Sequence, residues 1–317
     1  MSLENIINKA INRAKKSLKS LAYAVLVGAA LAGGGEANAS IIYVNPGESI
    51  QSAINKTVVG DEVHVNPGTY YEKVTIKDGV DLIGAGADVT IIDAQRSKDS
   101  CIIYAKDIQD FTTTVSGFTL TNGGRNSCGI HLNNSKMIIE RNIIYNNGAV
   151  GINPIYSGIG IELNNSVPII QHNILFNNID IGIWIYTPYH SNLEPTIIIN
   201  NLIIGGWTGI HKDLFSTPPN LFNNDIWGNI RDYYNVTPGL DDISEDPLFI
   251  SNDNFHLQLG SPCIDAGKDI GLPYYGSAPD MGAFEYVPEP ATLILLGIGL
   301  SALLTRKNNN YLQNKNY

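Results

Sequence analysis

An internal repeat runs through the middle of this 317-residue chain, and a repeat of its length restricts the fold more than any single segment does. Two families of short apolar segments interleave. The first contains Ser100-Cys101-Ile102-Ile103-Tyr104, Ser127-Cys128-Gly129-Ile130-His131-Leu132-Asn133-Asn134-Ser135, Ile159-Gly160-Ile161-Glu162-Leu163-Asn164-Asn165-Ser166, Ile181-Gly182-Ile183-Trp184-Ile185 and Thr208-Gly209-Ile210-His211. Its steps average about 27 residues, within the range of solenoid repeats. The second contains Gly117 to Gly123, Asn142 to Gly148, Asn173 to Asn178, Asn201 to Gly205 and, more loosely, Asn224 to Gly228.

A unit of roughly 22 to 31 residues with two or three short strands cannot bury its own apolar side chains, but stacked units can. Successive coils then pair as parallel strands about 4.8 Å apart, with Ile and Leu turned inward. The chain has 35 Asn, and Asn suits the turns because it tolerates the left-handed conformation and its amides can ladder along the stack. Disorder is excluded by 44% hydrophobic and only 16% charged residues. A leucine-rich repeat is excluded because the Leu framework is missing and the second strand family leaves no room for a helix. The expected fold is therefore all-β: a single-stranded right-handed parallel β-helix over residues 40–240, with an N-terminal capping helix and a C-terminal closing segment over 241–287.

At the start, Ile41 to Val44 reads as a strand, and Ile50, Ala53 and Ile54 lie at helical spacing, as a helix covering the end of the stack requires. Asp61 to Val65, Val74 to Ile76 and Val80 to Ile83 follow as strands. Gly68-Thr69-Tyr70-Tyr71-Glu72 is similar to the Gly-x-Tyr-x-Glu stretch of pectin-lyase-like β-helix proteins, pectinesterases among them. The resemblance covers about 50 residues and implies the fold. The Gln-Asp-Thr and Asp-Phe-Ile-Phe-Gly motifs of pectinesterases and the Asn-Thr-Asp and Gly-His-Gly motifs of polygalacturonases are absent, which argues against both activities. Near the other end, the run from Asp246-Pro247-Leu248-Phe249 through Gly260-Ser261-Pro262-Cys263-Ile264-Asp265-Ala266-Gly267 to Asp280-Met281-Gly282-Ala283-Phe284-Glu285 resembles the closing segment of secreted bacterial β-helix proteins. Asp265 and Asp280 invite a Ca2+ reading, set against a role in capping turns. No other cofactor or metal is implied.

Both termini read as addresses. In residues 1–39, Lys9, Arg13, Lys15, Lys16 and Lys19 precede an apolar run from Leu21 to Ala32, and Ala37-Asn38-Ala39 supplies a signal-peptidase site before Ser40. A membrane anchor is the alternative. Residues 288–310 hold Pro288-Glu289-Pro290, an apolar stretch from Ala291 to Leu304, and Arg306-Lys307, followed by a polar tail over 311–317. This order resembles the PEP-CTERM sorting signal of Gram-negative bacteria. The resemblance implies export, an exosortase partner and residence on the surface or in the matrix, with a transient or permanent membrane anchor. Between the ends, 12 Lys and Arg stand against 27 Asp and Glu, a balance of −15, which repels nucleic acid.

Strand alternation places candidate binding residues. With Ile130, Ile161, Ile183 and Ile210 inward, His131, Glu162, Trp184 and His211 point outward on one sheet, with Tyr104 a coil earlier. Two positions further along stand Asn133, Asn164, Tyr186 and Asp213. Aromatic rings beside imidazoles and carboxylates suit a carbohydrate groove, in which ring faces pack on sugar CH surfaces and polar groups bind hydroxyls. A solvated polar stack is the alternative. Catalysis is weaker in the sequence: Glu162 has histidines for neighbours, Asp213 is expected about three coils away, and Arg141 with His172 on the second family could serve an elimination. Cys101 and Cys128 are expected at equivalent inward positions, as a disulfide or a buried thiol pair, and Cys263 is expected to be buried. The expected function is polysaccharide binding. A lyase or hydrolase is one alternative and a structural or adhesive solenoid another; ice binding is disfavoured because Thr119 and Thr121 form no multi-coil face.

Overall fold

The computed structural model describes residues 39–97, 101–109, 111–148, 158–187 and 193–288. The proposed signal peptide up to residue 38 lies outside them, as do the loop residues 188–192 and the sorting segment beyond Pro288. Among the described residues no helix is long and apolar enough to cross a membrane. The solenoid and its C-terminal segment, through Glu285, form one compact unit, and only 286–288 of the second unit are described.

The unit is a parallel β-helix of three sheets. The first sheet has eight strands, Ile41–Val44, Glu62–Val65, Asp81–Gly84, Thr114–Ser116, Ile138–Glu140, Ile169–Gln171, Ile197–Ile199 and Asn220–Phe222. The second has seven, from Gly68–Tyr70 to Asp225–Trp227, and the third has seven, from Val74–Ile76 to Arg231–Tyr234. Each coil therefore contributes three strands. One column of fully buried residues, including Leu120, Ile130, Ile139, Ile161, Ile170, Ile183, Ile198 and Ile210, fills the interior.

The capping helix α1 spans Ile50–Lys56 and buries Ile50, Ala53 and Ile54. Ser49 caps it through Ser52 N–H at 3.1 Å. The Glu72 carboxylate accepts from the backbone N–H of Ile50 at 2.6 Å and of Gln51 at 3.1 Å, so the acid of the Gly-x-Tyr-x-Glu stretch satisfies amides that a helix start leaves open. That motif is structural here.

Asparagine performs two tasks. Asn122, Asn134, Asn146, Asn165, Asn177, Asn200 and Asn223 adopt positive φ at the corners between strands. A second set, Asn142, Asn173, Asn201 and Asn224, lies in the interior with no solvent exposure. Each donates its side-chain N–H to the side-chain oxygen of the next at 3.0–3.2 Å, and the chain ends on the Asp242 carboxylate at 3.0 Å. The same oxygens accept backbone N–H groups from the preceding coil, so the ladder closes polar groups that the turn would leave buried and unpaired.

The closing segment does more than end the stack. Phe249, Phe255, Leu257, Cys263 and Met281 pack over Ile143, Ile174, Leu202 and Ile204, on the outer face of the second sheet. Ile270 and Leu272 then pack on Ile138, Ile169, Ile197, Ile199 and Phe222, on the outer face of the first sheet. Residues 243–284 are thus a strap along two of the three faces. Asp265 and Asp280 hold its turns: the Asp265 carboxylate accepts from Ser277 and Ala278 N–H at 2.9 and 3.2 Å, and Asp280 accepts from Asp265 N–H at 2.7 Å. Those bonds hold the Asp265 carboxyl below its usual range.

Candidate functional site on the open face of the third sheet

Among the described residues, none packs as a strap across the outer face of the third sheet. Across it the register aligns Thr75, Tyr104, His131, Glu162, Trp184, His211 and Tyr234 in one row, one residue per coil. Lys106, Asn133, Asn164 and Tyr186 form a parallel row, which Asp213 continues through its N–H bond to Ile185. Neighbours in a row lie about 5 Å apart.

The rows are held in register by glycine. A Cβ on Gly160 would come within 2.6 Å of the Gly182 carbonyl oxygen, and one on Gly182 within 2.6 Å of that of Gly209. Both glycines face the core, because a methyl group at either position would also strike Leu175 or Ile203. The residue before each glycine therefore turns outward. This corrects the expectation for the cysteines: Cys101 and Cys128 lie apart from the main interior column, in a smaller buried cluster with Ile159, Ile181 and Trp184, and form a disulfide between adjacent coils. Simple alternation placed them inside because it did not count a glycine at an inward position. Cys263 is buried and free.

Side chains in the row engage one another. His131 Nδ1 lies 3.2 Å from Glu162 Oε2, and the Tyr104 and His131 rings meet edge to face at 5.4 Å. Trp184 Nε1 donates to Asp213 Oδ1 at 3.0 Å, and the same oxygen lies 3.3 Å from His211 Nε2. The His211 ring packs 4.5 Å from Tyr234, whose own face lies under the Arg231 guanidinium. Burial lowers the His211 pKa against the pull of Asp213, which keeps the imidazole neutral at physiological pH. The His131 and Glu162 side chains are each 22% exposed, so the row is half-buried rather than fully solvated. A cleft of about 460 Å³ opens beside Tyr104, His131 and Glu162, bounded by Lys73, Thr75 and Asn126.

All seven residues expected to bind ligand, Tyr104, His131, Glu162, Trp184, Tyr186, His211 and Asp213, fall on this face. Thr75, Tyr234 and Arg231 were missed. Tyr234 lacks the Gly-Ile signature, since Asp232 and Tyr233 stand in those places, and only continuation of the period past His211 would have found it. Asp213 is two coils from Glu162, not three, or about 10 Å along the stack. That backbone spacing is above the roughly 5 Å of a retaining carboxylate pair and just beyond the roughly 6.5–9.5 Å of an inverting one.

Arg141 and His172 occupy equivalent left-handed corners between the first two sheets. The strap covers that position. His172 is 3% exposed, its Nε2 meets Asn200 Nδ2 at 3.0 Å, and Arg141 donates to the Pro273 carbonyl at 3.3 Å. Burial, reinforced by Arg141, lowers the His172 pKa to about 3. The ring is thus a neutral hydrogen-bonding group under the strap, away from any open groove.

Three parallel sheets in stacked coils define a right-handed parallel β-solenoid. The chain belongs to the right-handed β-helix family, whose description, the right handed beta helix region, matches residues 78–253. Residues 287–308 match the PEP-CTERM protein-sorting motif, which marks the chain for export and exosortase processing in a Gram-negative bacterium. None of the curated proteins matches. Among solved structures, pectate lyase Pel9A is 18% identical over 78% of this chain and 96% of its own, with a TM-score of 0.38. A pectin methylesterase mutant in complex with a hexasaccharide is 13% identical over 56% of this chain and 66% of its own, with a TM-score of 0.27.

Proposed function

We propose that this exported β-helix protein binds polysaccharide along the open face of its third sheet, once residues 1–39 have been removed as a signal peptide. The observation that supports the reading is the row from Tyr104 to Tyr234 on the face that the strap leaves uncovered. With Tyr186 and Asp213 of the parallel row it holds four aromatic side chains, two imidazoles and two carboxylates, and a glycan running along the stack would meet a ring or a hydrogen-bonding group at each step. The acidic surface suits neutral or mildly acidic chains.

A glycan array followed by titration with the best-bound oligosaccharide tests this. Trp184→Ala is expected to weaken binding at least about tenfold, the range of one lost aromatic contact. Tyr275→Ala, an exposed ring on the strap, is expected to leave it unchanged. Equal affinity of wild type and Trp184→Ala would remove the groove from consideration. A second reading, catalysis, draws on the neutral His211 held by Asp213, a suitable general base. Release of reducing sugar or unsaturated product by the wild type, lost in His211→Ala, would replace binding with turnover.

A further inference from the structure

The disulfide stands among other ligating groups. Cys101, Cys128, His131 and Glu162 each offer one donor atom, and the four atoms lie within 4.8 Å of one another. They come from three successive coils, so the parallel register fixes their relation: Cys128 and His131 share one strand, Glu162 pairs with His131 on the next, and Cys101 lies 4.4 Å from Cys128 between Cα atoms. A regular tetrahedron with zinc bond lengths has edges of about 3.3–3.8 Å, so side-chain rotation alone would bring the donors to a metal. Two thiolates, one imidazole and one carboxylate form a donor set for zinc, not for the oxygen-seeking calcium. An independent sign is His131 Nε2, which is shielded from solvent and has no hydrogen-bond partner.

We propose that the dithiol form of Cys101 and Cys128, with His131 and Glu162, binds one zinc ion. The oxidised form is the disulfide seen here. A dithiol reductant breaks the Sγ–Sγ bond with two electrons and two protons and itself becomes a disulfide. Zn2+ then displaces both thiol protons to solvent, giving a site of net charge −1. The cluster therefore has two exclusive states, a disulfide that leaves Glu162 and His131 in the row and a metal site that takes both. The proposal rests on the donors and stands whether or not the face binds glycan.

The test uses the full chain, reduced with a phosphine under argon and titrated with Zn2+ against a chromophoric chelator, with Co2+ as the spectroscopic probe. The expected result is one zinc per reduced chain, a thiolate-to-cobalt charge-transfer band with tetrahedral d–d absorption, and no zinc on the oxidised chain. Cys101→Ser and Cys128→Ser, each checked for native circular dichroism, should weaken binding at least about tenfold, as should Glu162→Gln. Cys263→Ser should bind as the wild type does, since that thiol is buried on Asp225 at 3.3 Å. No zinc on the reduced chain, no thiolate band, or undiminished affinity in both cysteine variants would overturn the proposal.

Discussion

Replacing Asn201 with leucine is expected to lower the unfolding free energy by about 3 kcal/mol or more, although the two side chains have the same number of heavy atoms and the same branching. Asn201 Oδ1 accepts from the backbone and side-chain N–H groups of Asn173 at 2.9 and 3.0 Å. Its Nδ2 donates to the Ile170 and Ile199 carbonyls and to Asn224 Oδ1 at 2.9–3.0 Å. Leucine would leave the Asn173 backbone N–H and the Ile170 carbonyl without these partners in a dry interior, and each stranded group costs about 1–3 kcal/mol. The corner ladder should behave differently. Asn177 has φ +49 and bonds Asn146 at 3.0 Å in an exposed position. Asn177→Gly keeps the left-handed backbone accessible and should cost less than about 1 kcal/mol. Denaturant unfolding followed by circular dichroism measures both; similar losses would mean that burial of the ladder is not what matters.

Phe255→Ala should destabilise by about 3–5 kcal/mol and loosen the strap before the solenoid. The ring is 5% exposed and makes edge contacts with Tyr145, Phe176 and Phe249 at 5.1–5.5 Å. Removing it opens a cavity over Ile143, Ile174 and Leu202. Leu214→Ala, on a residue that is 74% exposed, should change little. Fluorescence of an apolar dye during mild denaturation gives the readout. The expected pattern is early dye binding by Phe255→Ala while the coil signal persists; a single unchanged transition would show that the strap and solenoid do not separate.

The repeat was legible in the sequence because Gly-Ile pairs and Asn corners recur at the coil period. The third strand family was not. Its members, such as Ile138–Glu140 and Ile197–Ile199, are three residues long and apolar on both sides, because the strap buries their outward side chains. Alternation fails wherever both faces are covered. The same cover removed His172 from the groove: its equivalence to Arg141 was readable, but the two stand at corners rather than on the second sheet, and the strap that packs on them comes from about 100 residues later in the chain. The row from Tyr104 to Tyr234 was the readable part of the site, since its outward residues are polar or aromatic between inward Ile and Leu, whereas the outward Cys128, Ile159 and Ile181 beside it are buried and apolar. The outward turn of Cys128 required the close approach of Gly129 to the next coil, which composition does not encode.

Hydroxyl-radical footprinting of the chain with its best-bound oligosaccharide tests the assignment of the open face most directly. Saturating ligand should protect Tyr104, Trp184, Tyr186 and Tyr234 and leave Tyr71 and Tyr275, exposed elsewhere, as reactive as before. Protection of Tyr71 or Tyr275 with the third-sheet row unchanged would contradict it.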